Sequence, residues 1–112
     1  MSSKQMELMI IVGTPQEAVD RILEAISNAG GGIIGNYSHC AFVVNGQGRF
    51  KPNATANPHI GAIGQVNAVD EAQIQTFCPR ASAKSVVEAI RAAHPYEEPV
   101  IYLLPLLSEI EL

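Results

Sequence analysis

The sequence predicts an α+β protein of the ferredoxin-like class, a βαββαβ sandwich whose four-stranded antiparallel sheet carries two helices on one face. Short β-branched runs alternate with two segments that repeat an apolar residue every three or four positions. Both halves of the chain share the order strand, helix, strand, with Leu23-Glu24-Ala25-Ile26 in one predicted helix and Val87-Glu88-Ala89-Ile90 in the other. The 112 residues suffice for one domain, residues 1–112.

In the first half, residues 6–12 form an apolar run that predicts a strand. Residues 14–17 predict a helix start, with a threonine N-cap, a proline at the first helical position and a glutamate at the third. One apolar stripe follows, formed by Val19, Ile22, Leu23 and Ile26. The glycines at 30–32 end this helix, and residues 33–44 predict a second strand.

The second half begins with an irregular glycine-rich loop at about 46–64, punctuated by glycines and prolines. A third strand is predicted from Val66 or Val69 to Cys78, where Pro79 stops it. A second helix runs from a Ser82 cap to Ala93, and residues 100–104 form the last strand.

The first and last predicted strands are apolar on both faces, although two helices cover only one face of the sheet. The whole chain is 47% apolar and only 16% charged, which fits this surplus. Another copy of the chain is the simplest cover for the second face. The sequence therefore predicts a homo-oligomer.

Charge and composition exclude several classes of protein. The net charge of -4 provides no basic excess for nucleic acid, so no nucleic-acid partner is expected. Neither a membrane span nor a secretion signal is evident, which predicts a cytoplasmic protein without a membrane partner. Cys40 and Cys78 are expected to be buried or half-buried free thiols unless their strands pair.

The polar turn at residues 94–99 is the densest group of candidate functional side chains. His94 with a carboxylate can act as acid and base or as a metal ligand, although a structural helix stop explains the same residues. Candidate metal ligands are His39, His59, His94 and Glu97, with Cys40, Cys78 and Glu98 as further donors. Because His39 and Cys40 are adjacent on a predicted strand, they should point to opposite faces and not share one ion.

Two glycine-rich features suggest anion binding, each with a simpler explanation. Arg49 and Lys51 lie two residues apart, so in an extended loop they share a side, where either an anion or plain solvent can meet them. The pattern Gly30-x-Gly32-x-x-Gly35 matches the dinucleotide fingerprint, but it follows a helix instead of preceding one. A helix stop accounts for that pattern, so no nucleotide site is predicted there.

Several motifs together resemble the inserted domain of the Nif-three-like (YqfO-type) family, from Met6 to about Leu106. They are Ile34-Gly35-Asn36-Tyr37 with Cys40, Gly46-x-Gly48-x-Phe50-x-Pro52, Asn57-Pro58-x-Ile60-Gly61-x-x-Gly64, and Ala93-His94-Pro95-Tyr96-Glu97-Glu98-Pro99. That domain is similar to PII and CutA, so the resemblance implies a PII/CutA-like fold and assembly as a trimer. The family's two-metal, hydrolase-like site lies in another domain, so the resemblance implies no hydrolase activity for this chain.

We therefore expect a non-catalytic, homo-oligomeric PII/CutA-like binding or regulatory module whose ligand is a divalent metal ion, a small anion or a nucleotide. No cofactor other than such a metal ion is expected. The predicted ligand-binding residues are Arg49, Lys51, His59, His94, Tyr96, Glu97 and Glu98. One alternative is a protein-interaction domain that docks on a separately encoded partner. A small metal-dependent enzyme ranks third among the hypotheses, because no nucleophile–base pair is evident in the sequence.

Overall fold

The computed structural model describes residues 5–112 and has the predicted order of strands and helices. The strands are β1 (Leu8–Thr14), β2 (Phe42–Phe50), β3 (Asn67–Cys78) and β4 (Ile101–Pro105), and the helices are α1 (Val19–Asn28) and α2 (Ala83–Ala93). Residues 1–4, on which the expected absence of a secretion signal partly rests, lie outside the described part. In residues 5–112, no helix has the length and apolarity that a bilayer crossing requires.

The four strands form one antiparallel sheet in the order β2-β3-β1-β4. The central pairing joins Val12 of β1 to Ile74 of β3 and to Ile101 of β4. Every second residue of β1 is buried, namely Leu8, Ile10, Val12 and Thr14. This alternation points one face of the sheet at the helices, and the predicted ferredoxin-like fold is confirmed.

Both helices bury an apolar stripe against that face. Ile22 and Ile26 of α1 and Val86 and Ile90 of α2 are fully buried. Val19 and Leu23 flank the core as half-buried residues, which confirms the stripe predicted for α1. The helices therefore owe their stability mainly to this shared core.

The predicted threonine cap of the first helix is wrong. Pro15 has an extended backbone, with ψ at 145°, and a short 3-10 turn over Gln16–Ala18 precedes α1. The Thr14 hydroxyl donates to the Pro15 carbonyl instead of accepting a helix N–H. Since Pro15 stays extended, the helical backbone begins only after it.

The second strand also differs from its prediction. Residues 33–41 form a loop, and the strand begins at Phe42 and continues through Gly46 and Gly48. The irregular loop thus covers residues 51–66, not 46–64. The strand requires a glycine at position 48, because a Cβ there would lie 2.7 Å from the carboxylate of Glu71.

The face of the sheet away from the helices is covered by no helix of residues 5–112, and it is apolar on β1 and β4 but carries Gln73 and Gln75 on β3. Met9 and Ile11 of β1 alternate with the buried residues and are half-buried. Their partners across the ladder include Tyr102 and Leu104 of β4, which are exposed. The predicted apolar surplus therefore lies on this face, which we call the open face.

Candidate functional site

A pocket of about 400 Å³ lies at the end of the sheet, between the end of β2, the loop that follows it and the turn from α2 to β4. Three parts of the chain build it, namely residues 48–60, Glu71 of β3 and residues 96–100. Six of the seven predicted ligand-binding residues line it: Arg49, Lys51, His59, Tyr96, Glu97 and Glu98. The seventh, His94, lies behind Tyr96, with ring centroids 4.9 Å apart. The structure thus assembles the predicted residues around one cavity.

His94 is the buried anchor of this pocket, with 8% of its surface exposed. Its Nε2 lies 2.7 Å from the Gly13 carbonyl oxygen, and its Nδ1 accepts from the Tyr96 amide at 3.1 Å. A carbonyl only accepts, so Nε2 carries the proton and Nδ1 does not. The two bonds fix a neutral imidazole in one tautomer.

The surroundings of His94 also favour its neutral form. Desolvation by burial lowers its pKa below the usual value, and the positive charge of Arg21 and the nearby His59 act in the same direction. The Gly13 carbonyl and the Glu71 carboxylate oppose this effect but do not outweigh it. Protonation of Nδ1 would in addition remove the acceptor of the Tyr96 amide.

Helix α2 ends at this position for local reasons. His94 precedes a proline and has an extended backbone, with φ at −77° and ψ at 135°, as residues before proline generally do. Arg21 of α1 donates from Nε to the Ala93 carbonyl at 2.8 Å, which satisfies one of the last carbonyls of α2. The turn therefore leaves the helix in a defined direction, toward Gly13.

Glu71 of β3 is a site residue that sequence reasoning missed. The Tyr96 hydroxyl donates to Glu71 Oε2 at 2.8 Å. Burial raises the pKa of Tyr96, and the bond to Glu71 and its charge raise it further. Gly13 and Gly48 leave room for this carboxylate, since a Cβ at either position would lie 3.0 Å or less from it. These two glycines, on the two strands that flank β3, were the only signal in the sequence.

The loop over the pocket is tied to the turn by Glu97. Its Oε1 accepts from the backbone N–H of Asn57 at 3.0 Å. The His59 ring lies 6.3 Å from the Tyr96 ring, tilted by 51°. Glu97 is thus engaged within the protomer, whereas His59 and Glu98 are exposed at the rim.

The two basic residues of the pocket differ in their surroundings. Alternation along β2 places the Arg49 side chain on the face opposite Gly48 and Glu71. Its Nε donates to Gln47 Oε1 at 3.2 Å on that face. The expected irregular loop is wrong for Arg49, because this residue belongs to a strand that ends at Phe50. Arg49 and Lys51 nevertheless line the same pocket, so both stay candidates for contact with a ligand in the cavity.

The proposed metal ligands do not come together in the protomer. His39 lies on the loop after α1, bound to Glu24 of that helix, and His94 uses both ring nitrogens internally. Within residues 5–112, no group of three or more His, Cys, Asp or Glu side chains is arranged to hold a metal ion. The structure therefore does not bring His39, His59, His94 and Glu97 together within one protomer.

The cysteines are free thiols, half-buried at Cys40 and buried at Cys78. Burial raises the pKa of Cys78, with a smaller effect from Glu7. Cys40 lies in the loop after α1 and not on a strand, so the argument from strand alternation for His39 and Cys40 does not apply.

No family model matches the chain. Two curated relatives, each named GTP cyclohydrolase 1 type 2 homolog, come from Halalkalibacterium halodurans and Bacillus subtilis. The first is 42% identical over 102 residues and the second 41% over 96, which cover 91% and 86% of this chain. These matches cover only 27% and 26% of the relatives, so the chain spans about a quarter of their length.

Similarity to solved structures defines the fold of this chain. The CutA protein of Archaeoglobus fulgidus has a TM-score of 0.66 at 17% identity, over 92% of this chain and 86% of that one. A PII-like CutA from Nostoc sp. PCC 7120 has a TM-score of 0.67 at 14% identity, over 94% and 86%. The chain has the CutA/PII-like form of the ferredoxin-like fold.

A more specific match is a Bacillus cereus protein related to NIF3, with a TM-score of 0.79 at 34% identity, over 93% of this chain and 26% of that one. Over nearly its whole length, this chain is thus similar to one segment of the NIF3-related proteins, which confirms the resemblance predicted from the motifs.

Proposed function

We propose that this protein is a homo-oligomeric binding or regulatory module whose ligand site, the pocket at the end of the sheet, is non-catalytic. The observation that carries this proposal is the convergence of three distant chain segments on one cavity. A volume of about 400 Å³ lies in the usual range for small-molecule sites. The CutA/PII-like fold and the NIF3-related relatives are consistent with a small module of this kind.

A small anion, including a nucleotide, is the ligand class that we favour. In residues 5–112 the single ion pair is His39–Glu24, so Lys51 at the pocket rim has no carboxylate partner there. The carboxylates of Glu71 and Glu97 already accept hydrogen bonds from Tyr96 and Asn57. The aromatic rings of Phe50 and Tyr96 and several prolines supply an apolar wall. Lys51 is therefore the group expected to meet a negative charge.

Thermal unfolding with added ligands tests this site. Inorganic phosphate, AMP, ATP and single divalent metal chlorides are added separately. An anion at tenfold excess over its Kd should stabilise the fold by about 1.4 kcal/mol, which is roughly 5–10 °C in Tm. Lys51→Ala should remove the shift, whereas Lys84→Ala on the exposed side of α2 should keep it.

Two outcomes would contradict the anion site. One is a panel in which no anion raises the Tm, and the other is an equal shift in Lys51→Ala and the unaltered protein. A shift caused by a divalent metal alone would favour the metal hypothesis instead, with ligands contributed by more than one protomer.

The open face is the surface that we assign to self-association. Phe42 and Val44 of β2 lie on it with Tyr102 and Leu104 of β4, and all four side chains are exposed. A sheet face of this kind needs a cover, and a second copy of the chain provides an equally apolar one.

Light scattering at micromolar concentration should therefore give a multiple of the 12.0 kDa protomer mass, with a trimer as the expected state. Tyr102→Glu combined with Leu104→Glu should shift the protein to the monomer, because buried charges oppose the contact. Leu107→Glu, an exposed position beyond β4, is the matched control and should leave the mass unchanged. A monomer in the unaltered protein would instead indicate that a separately encoded partner covers this face.

A further inference from the structure

The loop at residues 32–40 is compact, and hydrogen bonds join its two ends. The Cys40 amide donates to the Gly32 carbonyl at 2.9 Å, and the Gly32 amide donates to Phe77 of β3 at 2.8 Å. The Thr76 hydroxyl adds a bond of 2.7 Å to the Cys40 carbonyl. Loops with closely joined ends of this length are often functional. These hydrogen bonds therefore hold the side chains of the loop at fixed positions beside α1.

Two side chains of this loop and one of α1 form a continuous hydrogen-bonded chain. Ser38 Oγ lies 2.8 Å from His39 Nδ1, and His39 Nε2 lies 3.1 Å from Oε1 of Glu24 on α1. An ionised carboxylate only accepts, so Nε2 is the donor to Glu24. In the neutral imidazole Nδ1 then accepts from the Ser38 hydroxyl, whereas the Ser27 hydroxyl is more distant, at 3.5 Å. The order carboxylate, imidazole, hydroxyl is that of a serine activated by a general base.

The backbone of His39 supports a role beyond tethering the loop. Its φ is 58°, and it is the only residue other than glycine with a left-handed backbone in residues 5–112. Such a conformation costs energy, and it is often retained where it positions a functional side chain. Here it turns the imidazole between Ser38 and Glu24.

We propose that Ser38 is a nucleophile for activated acyl esters, with His39 as its general base and Glu24 as the residue that orients His39. This site lies on different elements from the pocket and does not depend on the function proposed for the pocket. All three side chains are accessible, so an ester in solution can reach Ser38.

The chemical step is an acyl transfer. Ser38 Oγ bonds to the ester carbonyl carbon while its proton moves to His39 Nδ1. The bond from that carbon to the leaving oxygen then breaks, and the leaving oxygen takes the proton from Nδ1. Water later attacks the acyl-serine in the same way and releases the acid, which regenerates Ser38. Glu24 keeps its charge throughout and holds the Nε2 proton.

Reaction of the full chain with p-nitrophenyl acetate tests the proposal. We expect a burst of p-nitrophenol of one equivalent per protomer, and peptide mass mapping should place one acetyl group on Ser38. Ser38→Ala should abolish the adduct and lower the rate about tenfold or more, as should His39→Asn. Asparagine tolerates the left-handed backbone at position 39, so that variant keeps the loop conformation. Glu24→Gln should reduce the rate while the adduct stays on Ser38.

The matched control is Ser85→Ala, which removes an exposed serine of α2 and should react like the unaltered protein. The melting temperature of each variant is compared, so that loss of the fold is not mistaken for loss of the nucleophile. An unchanged rate in Ser38→Ala would show that another group, such as His39 or Ser27, attacks the ester, and would overturn the assignment. Acetylation of lysines without Ser38 would do the same.

Discussion

Replacing His94 by alanine is expected to lower the free energy of unfolding by roughly 2–4 kcal/mol. The Gly13 carbonyl would lose the donor that now lies 2.7 Å away, and an unpaired buried acceptor costs about 1–3 kcal/mol. Loss of a buried ring adds the cost of a cavity. The Tyr96 amide would also lose its acceptor, so the turn that forms one pocket wall would no longer be anchored. Urea unfolding followed by circular dichroism measures the change.

His59→Ala is the matched control for this experiment. That imidazole lies at the exposed rim of the same pocket, 6.3 Å from the Tyr96 ring. Its removal should change the free energy of unfolding by no more than about 0.5 kcal/mol, as at most surface positions. If both variants lose the same free energy, burial and hydrogen bonding of His94 are not the source of the effect.

Local sequence patterns suffice to predict most of this fold, but not the limits of β2. The helical stripe of Ile22 and Ile26 and the alternation of β1 are periodic signals within a few residues. Gly46 and Gly48 instead suggest a loop, because glycine is rare inside strands. The place of Gly48 in β2 depends on Glu71, a residue more than twenty positions later whose carboxylate occupies the space above it. Such long-range compensation leaves no local pattern.

The pocket likewise combines residues that a local sequence pattern predicts with residues that only long-range contacts bring together. The turn from His94 to Glu98 is continuous in sequence, so the sequence alone predicts its polar side chains as one cluster. Glu71 reaches Tyr96 only because the register of β3 on β1 and β2 places it between Gly13 and Gly48. His39 and Glu24 likewise meet only after the loop folds back onto α1. Hydrogen-bond partners that lie on different elements therefore cannot be identified from local sequence patterns.

Acidification is expected to destabilise the protein through His94. Its pKa is lowered in the folded state, first by desolvation, whereas the unfolded chain should have the ordinary value of about 6.5. Between these two pKa values the unfolded state binds more protons, so stability increases with pH. The contribution of His94 is therefore complete above about pH 6.5 and is lost as the pH falls toward its folded-state pKa. One proton can change the unfolding free energy by at most about 1.4 kcal/mol per pH unit.

Urea unfolding at several pH values between about 7.5 and 5 measures this dependence, ahead of the range where ordinary carboxylates titrate. His94→Gln is the informative variant, because its amide can donate to Gly13 and accept from Tyr96 but does not titrate. We expect His94→Gln to lose less stability on acidification than the unaltered protein. Glu71, Arg21 and His59 are the charged or titratable groups near His94, and they remain in both proteins. His59→Ala removes only the smallest of the effects on the pKa of His94, so it should retain most of the pH dependence. Parallel pH curves for His94→Gln and the unaltered protein would show that another group titrates and that the neutral His94 bridge is not the acid-sensitive element.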